Sequence, residues 1–113
     1  MAPAGTHVLL DFWDAAPLDD VGHAERALRR AADAAGATVL HVHVHRFAST
    51  GGISGVAVLA ESHISIHTWP EQGYAALDIF LCGRSDVDAA IAVLREDFAP
   101  RRTNIRRFDR GAG

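Results

Sequence analysis

Apolar residues recur along this chain with two periods, and the switches between those periods delimit eight elements. His7 to Trp13 reads as a strand. Pro17, Asp19 and Asp20 then open a helix predicted to run to about Ala35, with Val21, Leu28, Ala31 and Ala35 on one stripe and Gly36 where a C-cap belongs. Thr38 to Phe47 alternates, predicting a strand with Leu40, Val42 and Val44 on its buried face and His41, His43 and His45 on the other. Ser49-Thr50-Gly51-Gly52 is a turn. Ile53 to Ala60 and His63 to Thr68 read as two further strands, joined around Glu61-Ser62. After a loop at Trp69 to Gly73, Tyr74 to Cys82 forms a long apolar strand. Ser85, with Asp88 three residues on, resembles a capping box. It opens a helix carrying Val87, Ile91, Leu94 and Phe98 that stops before Pro100. Thr103 to Phe108 is a last, polar strand.

The order β-α-β-β-β-β-α-β predicts an α+β two-layer sandwich, a mainly antiparallel sheet with two helices on one face. The uncovered second sheet face, if apolar, would need a partner, so a homodimer is expected. At 113 residues the chain has room for one domain, and it contains neither repeats nor a linker. No apolar run approaches the roughly 18 residues of a membrane span, and Met1 to Thr6 lacks the basic, then apolar, pattern of a signal peptide. A cytoplasmic protein without membrane contact is the expectation.

Charge and composition narrow the chemistry. The formal net charge of −3 supplies no basic field for nucleic acid. Arg101, Arg102, Arg106, Arg107 and Arg110 form the one basic cluster, read as a solvated edge strand. All 11 cationic side chains are arginine. Without lysine the chain cannot anchor pyridoxal phosphate as a Schiff base, and it has no P-loop lysine. The single cysteine, Cys82, excludes an internal disulfide and a cysteine-rich zinc module.

Two constellations could carry chemistry. His41, His43 and His45 share one strand face, about 6.6–6.8 Å between neighbours, a spacing from which two could chelate zinc with a third ligand from elsewhere. No acidic residue lies nearby in sequence, and a half-exposed polar face explains the pattern as well. The second is Glu61-Ser62-His63-Ile64-Ser65-Ile66-His67-Thr68-Trp69-Pro70-Glu71, which crowds two Ser, two His, two Glu and a Trp between strands. It lacks the Gly-x-Ser-x-Gly elbow of a serine hydrolase.

This second block, continued by Gly73-Tyr74-Ala75-Ala76-Leu77-Asp78-Ile79-Phe80 and Cys82-Gly83, closely resembles the bacterial-type S-adenosylmethionine decarboxylase proenzymes. The likeness extends to His7, Gly36-Ala37-Thr38, His45-Arg46-Phe47 and Ser54-Gly55-Val56. It implies a chain that cleaves itself between Glu61 and Ser62, giving a 1–61 β chain and a 62–113 α chain. In the family the serine matching Ser62 attacks the preceding carbonyl and ends as a covalent pyruvoyl group, which holds the substrate as a Schiff base. The residue matching His67 takes the α-proton during processing, and the serine matching Ser54 assists. The cysteine matching Cys82 returns a proton to carbon during decarboxylation. Phe47, Trp69 and Glu71 match substrate-binding positions, Phe47 on adenine and Glu71 on the ribose hydroxyls. The cofactor implied is the pyruvoyl group alone, with neither pyridoxal phosphate nor metal, and the pathway is polyamine (spermidine) synthesis.

Physical chemistry agrees. Decarboxylation leaves carbanion character that needs an electron sink, and a carbonyl made from Ser62 supplies one where no lysine can hold a cofactor. In a regular strand Ser62 and His67, five apart, point to opposite faces. Either Ser62 precedes the strand proper or a bulge intervenes, and His63 is the alternative base.

Several positions depart from the family pattern. Ala48 to Ile53 is one residue longer than usual, and Gly-Ile-Ser-Gly stands where Gly-Val-Ser-Gly is usual. Ala15, Val44, Gln72 and Leu81 replace residues common in the family. Because some relatives act on L-ornithine or L-arginine, a loop lengthened and loosened by Gly51-Gly52 leaves those substrates open. Asp11, Asp14 or Glu71 would pair with their distal cation, whereas a sulfonium suits Phe12, Trp13, Phe47 or Trp69. The remaining alternative is a non-catalytic metal-binding module built on the three strand histidines.

Overall fold

The computed structural model describes residues 3–111. All eight elements form, in the predicted order: β1 (Gly5–Trp13), α1 (Val21–Ala35), β2 (Val39–Arg46), β3 (Ile53–Leu59), β4 (Ser62–Trp69), β5 (Tyr74–Cys82), α2 (Val87–Phe98) and β6 (Arg102–Arg110), with a single 3-10 turn at Pro70–Gln72. The six strands make one antiparallel sheet in the order β2-β3-β4-β5-β1-β6. The first strand therefore lies inside the sheet, between β5 and β6.

Alternation decides which side each residue faces. Val8, Leu10 and Phe12 of β1, Ala57 and Leu59 of β3, Ile64 and Ile66 of β4, and Leu77, Ile79 and Leu81 of β5 all point to one side and are buried. There they meet Leu28, Ala31 and Ala35 of α1 and Ile91, Leu94 and Phe98 of α2 in a single core. Alanines at Ala24, Ala27, Ala31 and Ala32 let α1 approach closely. The Asp20 carboxylate caps α1 on the His23 amide, and Gly36, at φ 79°, ends it. Truncating a fully buried side chain such as Leu94 to alanine costs about 2–5 kcal/mol.

Three sequence expectations need correction. Asp86, not Ser85, caps α2, its carboxylate accepting from the Ala89 amide at 3.0 Å, while the Ser85 amide closes a turn onto the Cys82 carbonyl. A carboxylate is acceptor-only and favoured by the helix dipole, so it outcompetes the hydroxyl one residue earlier. Leu40 is 64% exposed, because the β2–β3 register shifts between Val39 and His41 and carries it off the core side. Val39, Val42 and Val44 do pack against the core. Phe12, named as an aromatic face for substrate, is fully buried under the helices.

β6 is the expected polar edge strand. Its arginines pair locally: Arg106 with Asp11, Arg107 with Asp88, Arg110 with His7, and Arg102 lies 4.0 Å over the Trp13 ring. The opposite sheet face, with His7, Asp11, His63, Ser65, His67 and Asp78, has no covering element among the described residues.

Candidate active site

β3 and β4 are joined by a two-residue hairpin, Ala60-Glu61, with Leu59 paired to Ser62. Glu61 takes φ 62°, the left-handed region that such a turn demands and that disfavours any residue with a Cβ. The conformation presents the Glu61 carbonyl to β5. There the Cys82 thiol donates to it at 2.6 Å, and the Cys82 amide donates to Ser62 Oγ at 3.1 Å. Cys82 thus holds the Ser62 hydroxyl through its amide and puts a donor on the carbonyl oxygen of the residue before that serine.

His67 is elsewhere. β4 starts at Ser62 itself and contains no bulge, so neither expected way of bringing the two together holds: Ser62 falls on the helix side while His63, Ser65 and His67 point to the open face. Five residues of strand separate Ser62 from His67 by about 17 Å. His67 Nδ1 instead bonds Ser54 Oγ at 3.0 Å, directly across the β3–β4 pairing. Both line a cleft of about 190 Å³ with Phe47, Trp69 and Glu71. Phe47 and Trp69 are exposed, 46% and 39%, and present their rings to solvent.

The loop before the cleft is tied rather than slack. The Gly51 amide donates to the Phe47 carbonyl at 2.7 Å and the Phe47 amide to the Gly52 carbonyl at 2.8 Å. Gly51 sits at φ 76°, and a Cβ on Gly52 would stand 2.8 Å from the Thr68 carbonyl oxygen. The two glycines meet geometric demands, so the expected loosening does not occur. Tyr74 lies between Trp13 and Trp69 at 5.8 and 5.3 Å. Its hydroxyl donates to Asp11, which also faces Arg106, and that bond to the carboxylate, with burial, pushes the phenol up to about 12. Asp11 is thus already engaged.

A further cluster escaped the sequence reading. His7 on β1 and His63 on β4 both pair with Phe80 of β5, one from each side. Asp78, two residues before Phe80 and on the same face, reaches both rings, with Oδ2 at 2.7 Å from His7 Nε2 and 3.0 Å from His63 Nε2. Burial pushes the Asp78 carboxyl up, but hydrogen bonds from Ser65, His7 and His63 outweigh it and hold it below the usual range. The signal in the sequence is one carboxylate inside an apolar strand; its partners depend on strand order. His41, His43 and His45 gather no further ligand, and among the described residues only His7, His63 and Asp78 are close enough to share an ion.

This antiparallel α+β sandwich, with a serine-headed strand, a thiol on the preceding carbonyl and a separate aromatic–carboxylate cleft, matches a family of decarboxylases. The S-adenosylmethionine decarboxylase family matches residues 6–111. The proenzyme of that name from Thermomicrobium roseum is 44% identical over 98% of this chain and 97% of the relative. That from Methanococcus aeolicus is 44% identical over 99% and 97%. A crystal structure of the adenosylmethionine decarboxylase from Aquifex aeolicus superposes with a TM-score of 0.90 at 31% identity, covering all of this chain and 95% of that one. The chain belongs to the S-adenosylmethionine decarboxylase family, and it is an enzyme, a carboxy-lyase.

Proposed function

We propose that this chain is a self-processing, pyruvoyl-dependent decarboxylase of S-adenosylmethionine serving polyamine synthesis, active as a homodimer. The observation that carries this is that Cys82 contacts both residues, its thiol the Glu61 carbonyl and its amide the Ser62 hydroxyl. Ser62 Oγ attacks the Glu61 carbonyl carbon, the C–N bond breaks, and an ester with a free amine remains. The Cys82 thiol is placed to stabilise the charge that develops on the Glu61 oxygen. Removal of the Ser62 α-proton expels the Glu61 carboxylate from Cβ, and one water then replaces the nitrogen as ammonia, leaving a ketone. That ketone supplies the electron sink for decarboxylation. Afterwards Cys82, at the mouth of the same strand end, is the group that returns a proton to carbon.

The α-proton needs a base, and within one chain His67 is too far away. The open sheet face supplies the solution. Two copies stacked face to face about a two-fold axis set the Ser62 end of one sheet against the Trp69 end of the other. Each of two equivalent sites then combines Glu61, Ser62 and Cys82 of one subunit with Ser54 and His67 of its partner. Phe47 and Trp69 of the partner provide aromatic faces for adenine and sulfonium, and Glu71 provides a carboxylate for the ribose hydroxyls. His63 is adjacent to Ser62 but is committed to Asp78. A free catalytic thiol suits a reducing compartment, and the cytoplasm is proposed as its location.

Carbon dioxide release measured side by side with S-adenosylmethionine, L-ornithine and L-arginine tests the substrate. Release from S-adenosylmethionine alone is expected; release from either amino acid alone would overturn the assignment.

A further inference from the structure

His7, His63 and Asp78 play no part in the chemistry above, yet they converge on one point of the open sheet face. We infer that they form a binding site for a zinc-like divalent transition ion, distinct from the decarboxylation centre, that staples β1 to β4 and β5.

The three donor atoms lie within 4.8 Å of one another. Two nitrogen–oxygen separations are 2.7 and 3.0 Å. A tetrahedral zinc with bonds of about 2.0–2.1 Å spaces its ligand atoms about 3.3 Å apart, so each histidine–carboxylate pair needs to open by less than an ångström to admit an ion. Two imidazoles and one carboxylate suit zinc, cobalt or nickel and leave a fourth position for water. The supporting shell is present: the Ser65 hydroxyl donates to the other oxygen of Asp78, and Phe80 packs against both rings at 5.5 and 6.0 Å.

One contact opposes the ion. Arg110 faces His7 Nδ1 at 3.0 Å and can only donate, so the His7 proton sits on Nε2, towards Asp78. A metal on Nε2 moves that proton to Nδ1, against the guanidinium, and Arg110 must swing aside. Arg110 therefore weakens the site, a consequence that a merely structural histidine pair would not share.

The staple has a use that rests on the proposed cleavage. His7 belongs to the 1–61 segment, whereas His63 and Asp78 belong to 62–113. The ion would clamp the two pieces together one residue from the new terminus.

The test is calorimetric titration of zinc chloride, and visible spectroscopy with cobalt chloride, on metal-stripped wild type and on uncut Ser62→Ala. Both are expected to bind one ion per chain, so a failure of cleavage leaves the site standing. His7→Gln and His63→Gln, shown folded by circular dichroism, should each weaken binding by tenfold or more, and Ser65→Ala by about 10–100-fold. Arg110→Ala should tighten it. Replacing His41, His43 and His45 together by glutamine should change nothing. No stoichiometric ion on folded protein, binding indifferent to His7→Gln or to Arg110→Ala, or binding lost with the three strand histidines would each overturn the inference.

Discussion

The thiol of Cys82 and the carbonyl of Glu61 are hydrogen-bonded at 2.6 Å, although 21 residues separate them in sequence. The register of β4 on β5 brings them together, since His63 opposite Phe80 leaves Cys82 just beyond the start of β4. The proposed mechanism uses this one residue for two events, polarising the Glu61 peptide and later delivering a proton.

These roles separate by mutation. Cys82→Ala removes the donor from the Glu61 oxygen and should slow cutting about 10²-fold. Cys82→Ser keeps an O–H donor, so cutting persists while turnover falls. Time courses of fragment appearance and of carbon dioxide release check both; wild-type cutting by Cys82→Ala would remove it from processing.

Glu61 stores strain at the proposed cleavage site, because φ 62° suits glycine. In the uncut Ser62→Ala background, Glu61→Gly should raise stability by about 1 kcal/mol in urea unfolding. An unchanged or lowered midpoint would show that the turn is unstrained.

The proposed sharing of the site between subunits predicts complementation. His67→Ala and Ser62→Ala chains should each remain uncut alone. Once mixed through refolding, the His67→Ala chain should be cut, because its intact Ser62 meets His67 of the Ser62→Ala partner. Mass spectrometry distinguishes the products. Cutting of His67→Ala by itself would favour His63 as base and dismiss the shared site.

Tyr74 is the sole tyrosine, so phenolate absorbance reports it alone. Its ionisation should centre near 12 in the folded protein, and Asp11→Asn should bring it down. Because the folded value lies above the ordinary one, the stability it contributes is full below pH ~10 and is lost as pH rises towards 12. Tyr74→Phe should flatten that alkaline decline. Titration near the ordinary value in folded protein would contradict the Asp11 contact.

Elements were legible in the sequence where a period was unbroken. α2 buries Val87, Ile91, Leu94 and Phe98 as its spacing required. β2 departs from its pattern only at Leu40, where an extra residue in β2 shifts its register on β3 and flips one side chain. Strand order could not be read, since nothing in His7 to Trp13 says that it lies between β5 and β6. For the same reason the His7–Asp78–His63 cluster was missed. The candidate site residues came from a motif, and alternation correctly warned that Ser62 and His67 diverge. It could not say that Phe47, Ser54, His67, Trp69 and Glu71 share one cleft, or that Glu61, Ser62 and Cys82 form the other group.

The central claim is that the chain makes its own electrophile from Ser62. Intact-mass analysis of active protein before and after phenylhydrazine tests it most directly. Two fragments, 1–61 and 62–113, are expected, with only the second gaining one hydrazone and losing activity as it does. A single full-length mass in fully active protein, unreactive to phenylhydrazine, would contradict it.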